Sequence, residues 1–301
     1  MVQIRAPDPT AGPPKAKHQN AGLALAARLP PLMNLARQIA ASVMQGVHGR
    51  RRAGVGGTFW QFRHYSAGEA AHRIDWRRSG RDDRLYVRER EWEAAHDIWL
   101  WADASPSMNF MSDLALESKG DRALILMFAI ADLLVRGGER VGVLDVAPPR
   151  AARDIVERIG QELVETQPNS ELPAGSALPQ RARAILIGDF LSEAGEIIVT
   201  LNRLAARGAR GHIIMIADPV EETFPFAGHS EFIDIDSGAR LRAGKAENLQ
   251  AIYQQRLMAH RERIQAHARA LGWSVGVHRT DRPASQAVLA LMAQITAGER
   301  E

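Results

Sequence analysis

The sequence contains no cysteine, which excludes disulfides, thiolate zinc sites and cysteine nucleophiles together. It also lacks any long hydrophobic run. A membrane-spanning helix needs about 20 consecutive apolar residues, and the nearest approach, AGLALAARLPPLMNLA, is interrupted by Arg28, Pro30 and Pro31. The N-terminus does not show the charged-then-apolar order of a secretory signal. A cytoplasmic protein with no membrane span is the expectation. Walker loops, dinucleotide-binding glycine fingerprints and the Gly-x-Ser-x-Gly elbow of serine hydrolases are all missing. There is no internal repeat.

What is present is a chain of 301 residues, 46% hydrophobic and 24% charged, long and apolar enough for a sizeable core. Its net charge of +3 conceals an uneven distribution. Between Arg50 and Arg90 eleven arginines face five acids, and five of the six tryptophans fall between Trp60 and Trp101.

Residues 1–20, rich in Pro, Ala and Lys and without apolar periodicity, read as a disordered leader. Residues 21–53 read as a helical segment, with Leu32, Leu35, Ala36, Ile39, Ala40 and Val43 at helical spacing, running into the basic, Gly-rich break HGRRRAGVGG. Residues 54–95 form an Arg/Trp-rich segment. There Trp60, Trp76 and Trp92 are expected to pack a small β-rich appendage, while Arg73 and Arg77 pair with Asp75, Asp82 or Asp83. From 96 to 301 the pattern turns regular. IWLWA, RVGVLDV, AILIGDF, HIIMIAD and WSVGVHR read as strands, and EFIDID as a short edge strand. Helices are predicted over Asp121–Arg136 (ended by Gly137 and Gly138), Ala152–Glu165, Glu193–Arg207, Glu247–Leu271 and Ala284–Ile295. Strands alternating with helices predict an α/β protein whose mainly parallel sheet is covered on both faces.

In open sheets of this kind, ligands bind beyond the carboxyl ends of the strands, near a topological switch point. The first regular strand ends in Asp103, with Ser105 and Ser107 following at alternate positions. The third ends in Asp189 and the fourth in Asp218. Alternate residues of an extended segment project to one side, so Asp103, Ser105 and Ser107 can converge on one ion. Few carboxylates and several hydroxyls suit Mg²⁺, Mn²⁺ or Ca²⁺ better than zinc. The hydroxyls are neutral, so such an ion keeps open positions and attracts a carboxylate from outside. Binding, more than hydrolysis, is what this donor set favours.

The segment DASPS resembles the Asp-x-Ser-x-Ser core of the metal-ion-dependent adhesion site of von Willebrand factor A domains. FRHYSAGEAAHRIDWRRSGRDDRLYVRERE and IADPVEETFPFAGHSEFIDIDSG resemble the two flanking halves of one bacterial family, domain of unknown function 58. The likeness runs from about Gly54 to the C-terminus. It implies a von Willebrand A-like, doubly wound fold and a divalent cation, Mg²⁺ or Mn²⁺. It also implies a non-enzymatic interaction module that partners a MoxR-type AAA+ ATPase in protein or complex assembly. Carried over residue by residue, the site would comprise Asp103, Ser105, Ser107 and Asp189. A second-loop hydroxyl comes from Ser176, where the family pattern has Thr; Asn169 and Ser170 are rivals for that position. Glu69 stands where the family more often has Asp.

Other readings attach to the same residues. Asp-x-Ser-x-Ser alone also suits a helix cap, and Asp218 before Pro219 suits a turn. His260 and His267 share a helical face without a carboxylate partner and read as solvated surface. A metal-dependent hydrolase would need a general base near Asp103, for which Asp113 and Glu193 are the candidates. A nucleic-acid binder would use the Arg50–Arg90 block, although its interspersed acids favour a packing role.

Overall fold

The computed structural model describes residues 14–48, 59–66, 69–71, 74–81, 84–90, 95–175, 178–233 and 238–298. Two compact units result, one of Gly46–Ala95 and one of Met1–Gln45 with His96–Glu301. The first helix, α1 (Pro14–His48), starts inside the leader expected to be disordered. Its buried residues Leu29, Ala36, Ala40 and Val43 belong to the same apolar cluster as the central sheet of the larger unit. Gly160 leaves room for Leu29 and Met33 beside it, and Arg28 reaches Asp121 at 2.5 Å. Up to Gln45, the helical segment expected as a separate stretch over 21–53 is therefore a layer of the α/β unit.

In the smaller unit β1 (Phe59–His64) and β2 (Tyr86–Arg90) pair antiparallel. Between them lies the short helix α2 (Trp76–Ser79), whose cap Asp75 accepts from the Arg78 N–H at 3.0 Å. Ile74 and Val87 are buried. Arg63 pairs with Glu69 at 2.8 Å, and the Arg78 guanidinium lies 4.9 Å from the centroid of the Tyr86 ring. Trp76, expected to pack inward, is instead 64% exposed, because it opens a four-residue helix whose inward contact is made by Ser79. Trp92, Arg73, Asp82 and Asp83 lie outside the described residues.

The larger unit is mixed α/β. Its elements are β3 (Asp97–Ala102), α3 (Lys119–Arg136), β4 (Arg140–Val143), β5 (Ala147–Arg150), α4 (Ile155–Thr166), β6 (Arg183–Gly188), α5 (Ala194–Ala205), β7 (Arg210–Ala217), α6 (Pro219–Thr223), β8 (Ser230–Ile233), β9 (Arg240–Ala243), α7 (Gln250–Ala270), β10 (Ser274–Arg279) and α8 (Ala284–Gly298). Six strands form one sheet in the order β10-β7-β6-β3-β4-β5, parallel throughout except for β5. Period-2 alternation sends Ile98, Leu100, Ile185 and Ile187 to a face covered by α1, α3, α4 and α8. Trp101, Ala184 and Leu186 turn to the opposite face, under α5 and α7. Helix α3 is apolar nearly all round, and Ile125 to Ala131 are at most 1% exposed, each large side chain contributing on the order of 1.5–3 kcal/mol. It starts at Ser118, whose hydroxyl accepts from the Asp121 N–H. It stops where Gly138 takes a positive φ of 96° and Glu139 N–H returns to the Leu134 carbonyl, a closure that favours glycine.

Two strands differ from expectation. RVGVLDV is not continuous: β4 ends at Val143, Asp145 adopts φ +62°, and the chain returns antiparallel as β5. Pro148 and Pro149 fit there because an edge strand has no outer partner to supply. EFIDID does not edge the main sheet. Its first residues form β8, paired antiparallel with β9 in a separate ribbon; residues 234–237 lie outside the described residues.

Candidate metal and cation site

The main sheet reverses its winding between β3 and β6, since β4 follows β3 on one side while β7 follows β6 on the other. The carboxyl ends of those two strands open on the crevice where α/β sheets place ligands. Asp103 continues β3 by donating its N–H to the Ile187 carbonyl at 2.8 Å, and it is 4% exposed. Its Oδ1 accepts from the Ser105 N–H at 2.8 Å and from the Ser105 hydroxyl at 2.6 Å. Ser105 Oγ in turn lies 2.9 Å from Ser107 Oγ. Ser105 precedes the 3-10 turn Pro106–Asn109 but makes no side-chain cap to it. The Ser105 hydroxyl therefore faces the Asp103 carboxylate and the Ser107 hydroxyl, not the turn's backbone.

Gly188, the last residue of β6, lets the two strand ends approach. A Cβ at this position would lie 2.8 Å from the Asp103 Cβ. Asp189 follows it, 9% exposed, with Oδ1 accepting from the Leu191 N–H at 3.2 Å. Its Oδ2 accepts from the Lys119 ammonium at 2.8 Å. Lys119 is 1% exposed and also donates to Glu221 Oε1 at 2.6 Å. Glu221 is fixed by its other oxygen, which accepts from the Asp218 N–H at 2.8 Å. Asp218, fully buried, accepts from the Val220 and Ser112 N–H groups. It is thus both the cap of α6, in a reciprocal capping box with Glu221, and the pin of the loop between β3 and α3.

Two carboxylates, Asp189 and Glu221, contact one buried ammonium, and a third, Asp103, lies near enough to feel the charges of Asp189 and Lys119. Burial pushes the Asp103 carboxyl up to about 7 against the Ser105 hydrogen bonds, and the Asp189 charge adds to the rise. Burial also opposes the Lys119 charge, but the Glu221 and Asp189 carboxylates outweigh it and hold the ammonium above the usual lysine range. A carboxyl raised chiefly by burial is one that a nearby cation would help to ionise. The oxygen donors at Asp103, Ser105, Ser107 and Asp189 therefore fit a hard cation in kind and in charge. Among the described residues no three carboxylates, imidazoles or thiolates are arranged to hold an ion, so an ion here would rely on hydroxyls and water.

Of the residues singled out in the sequence, the structure brings Asp103, Ser105 and Ser107 together and places Asp189 across Gly188 from them. Ser176 lies outside the described residues. Of its rivals, Asn169 is exposed, and Ser170 lines a small cavity beside Ala102 and Asp145. Asp113 and Glu193 are exposed, and among the described residues no hydrogen bond ties either to Asp103, Ser105 or Ser107. His260 is not simply solvated: its Nε2 lies 2.7 Å from the Phe190 carbonyl, fastening α7 to the loop that carries Asp189. Lys119 and Glu221 escaped notice. Lys119 carries a legible signal, since a cation in the first turn of a helix opposes the helix dipole.

The family model described as "Protein of unknown function DUF58" matches residues 61–263. Uncharacterized proteins of Mycobacterium tuberculosis and Mycobacterium bovis are each 29% identical to the chain over 280 residues, covering 86% of it and 86% of the relative. Among solved structures, the conserved hypothetical protein BatB of Bacteroides thetaiotaomicron aligns with a TM-score of 0.40 and 9% identity, over 67% of this chain and all of its own. An aerotolerance-related membrane protein of Bacteroides fragilis aligns with a TM-score of 0.37 and 15% identity, over 66% of this chain and 98% of its own. Among the described residues of the present chain, no helix is long and apolar enough to cross a membrane.

Proposed function

The chain belongs to the DUF58 family, and from that premise we propose that it is a non-enzymatic interaction module whose docking face is the carboxyl end of the main sheet. The observation that carries this reading is the convergence of Asp103, Ser105 and Ser107 with Asp189 at the switch point of the sheet. The fold assigned is von Willebrand A-like. Support comes from the strand order, in which the third strand of the sheet lies antiparallel at one edge and the first and fourth are neighbours. The ion would be Mg²⁺ or Mn²⁺, held by Asp103, Ser105 and Ser107 with Asp189 nearby. Bound there, it supplies an open coordination position for a carboxylate of the partner.

Protein binding is further supported by the loop between β3 and α3. Met111, Leu114 and Leu116 on it are 56%, 58% and 67% exposed, although Asp218 holds the Ser112 N–H and the Lys119 N–H closes onto the Phe110 carbonyl. Exposed apolar side chains on a fastened loop mark a contact surface. The partner inferred from the family resemblance is a MoxR-type AAA+ ATPase. Among the described residues neither Asp113 nor Glu193 is hydrogen-bonded to Asp103 as the hydrolase reading would need.

Two measurements test this. Mg²⁺ or Mn²⁺ should raise the melting temperature of the wild-type protein, by roughly 2.7 kcal/mol of stabilisation at a hundredfold excess over Kd, and Asp103→Ala should abolish the rise. Ser107→Ala should weaken the complex with the ATPase while leaving the fold intact, and EDTA should weaken the wild-type complex alone. Equal binding with EDTA and with Ser107→Ala would move the contact to another face.

A further inference from the structure

We infer that Lys119 is the resident cation of this site, and that its ammonium and a divalent ion are alternative partners of Asp189. The inference rests on the reading of Asp103, Ser105, Ser107 and Asp189 as an ion site and says what an ion must displace. Lys119 is the first residue of α3, where unpaired N–H groups and the helix dipole disfavour a positive charge. It is nevertheless 1% exposed, with its ammonium held by Asp189 Oδ2 at 2.8 Å and Glu221 Oε1 at 2.6 Å. A lysine is almost never buried this deeply unless paired. Here its partners lie on the loop that follows β6 and in α6, directly after β7, so one side chain of α3 ties two segments of the crevice together.

Both oxygens of Asp189 are engaged, one by the Leu191 N–H and one by Lys119. A divalent ion drawn to Asp189 from the Asp103 side meets an ammonium already there. Two cations on one carboxylate repel, most strongly where water is scarce. Glu221 supplies the way out. Its Oε1 already accepts from Lys119, and its other oxygen is fixed by the Asp218 N–H. The ammonium can therefore leave Asp189 and stay paired with Glu221, without crossing the pocket or becoming a buried unpaired charge. Ion binding then breaks one of the two Lys119 bonds that fasten α3 to the β6 loop and to α6. The ion becomes coupled to the loop that follows β6, and the lysine lowers the affinity of the site.

The test uses the full chain and Mn²⁺ as the probe. Free Mn²⁺ is followed by electron paramagnetic resonance during titration of wild type and of Lys119→Met, which keeps most of the side-chain volume without the charge. Lys119→Met should bind Mn²⁺ at least about tenfold more tightly. Equal or weaker binding by a folded Lys119→Met overturns the inference while leaving the ion site standing. If neither protein binds Mn²⁺, the ion-site reading fails, and the inference with it. A second measurement does not depend on the variant's folding. The chain has lysine at only 15, 17, 119 and 245, so ¹⁵N-labelled lysine gives a side-chain spectrum simple enough to assign. On addition of Mg²⁺ to wild type, the Lys119 resonance should move with the same midpoint as ion binding. A Lys119 resonance unmoved at saturating Mg²⁺ overturns the proposal.

Discussion

Two cations enter the core from the first turn of α3, and they are held in different ways. Lys119 and Arg122 stand three residues apart, and each is 1% exposed. Arg122 donates to one carboxylate, Glu117 at 2.5 Å, and otherwise to neutral acceptors: the Thr280 carbonyl at 2.8 Å, the Arg282 carbonyl at 2.5 Å and the His278 ring at 2.5 Å. Its charge is matched once, and its planar fork is filled by groups that cannot move away. The Lys119 ammonium donates to two carboxylates, Asp189 and Glu221, with the Asp103 carboxyl nearby, and among the described residues to no backbone carbonyl. A buried cation with one counter-charge and several dipoles is a fastening. A buried cation among surplus carboxylates is a placeholder, because another cation can take over part of its role. Burial alone does not tell these apart; the charge count around each group does.

The largest effect is expected at the fastening. Arg122→Ala removes the donor of the half-buried Glu117, the buried His278 ring and two carbonyls, and breaking a buried pair from one side costs about 3–5 kcal/mol. Urea denaturation should show this loss, with no change in the stabilisation produced by Mg²⁺. A loss below about 1 kcal/mol would mean that the Arg122 cluster is not the rigid member of the pair, and the contrast with Lys119 would fail.

The His278 ring offers a second probe of the same cluster. Burial first, and the Arg122 charge second, press its pKa down to about 4 against a weaker upward pull from Asp281. The unfolded chain titrates near 6.5. The folded state thus binds fewer protons than the unfolded one, and the stability linked to His278 is present above about 6.5 and is lost as pH falls toward 4. At full effect the loss is on the order of 3 kcal/mol. His212, depressed to about 4 by burial and Arg183, titrates in the same window. His278→Gln should therefore flatten the slope of stability between pH 6.5 and 4 without removing it. An unchanged slope in His278→Gln would show that Arg122 does not hold a neutral ring.

Much of this architecture is legible from residue order. The apolar run of α3 and the buried strands β3, β6 and β7 carry patterns that tertiary packing reinforces, and Asp103, Ser105 and Ser107 are marked by a spacing that only an extended segment can use. The rest depends on contacts that no local pattern encodes. The turn at Asp145 is set by a single left-handed residue, and RVGVLDV alone reads as one strand. The exposure of Trp76 follows from the shortness of α2, which aromatic content does not reveal. Glu221 lies 102 residues from the lysine it meets, so neither spacing nor periodicity joins them. Lys119 is different, because a lysine placed directly after an N-cap violates the dipole preference locally, and that conflict points to a distant counter-charge.

The smallest effect is expected at Gly188, and it probes the Lys119 side of the contrast alone. A methyl group there would sit 2.8 Å from the Asp103 Cβ and 3.2 Å from its Oδ2. The first of these is not the end of a flexible chain, so β3 and β6 must shift at their carboxyl ends. Gly188→Ala should cost about 1–3 kcal/mol, the usual range for overpacking, and move the Asp103 carboxylate away from Asp189. If the surplus of carboxylates around Lys119 is what draws a divalent ion, spreading them should reduce the Mg²⁺-induced rise in melting temperature by more than it reduces stability without the ion. Thermal shift with Mg²⁺ and with EDTA separates the two quantities, and the pH slope set by His278 should stay as in wild type, since Gly188 touches none of the Arg122 partners. A Gly188→Ala protein that loses stability yet keeps the full Mg²⁺ rise would show that the ion does not need Asp103 and Asp189 side by side, and the placeholder reading of Lys119 would lose its geometric basis.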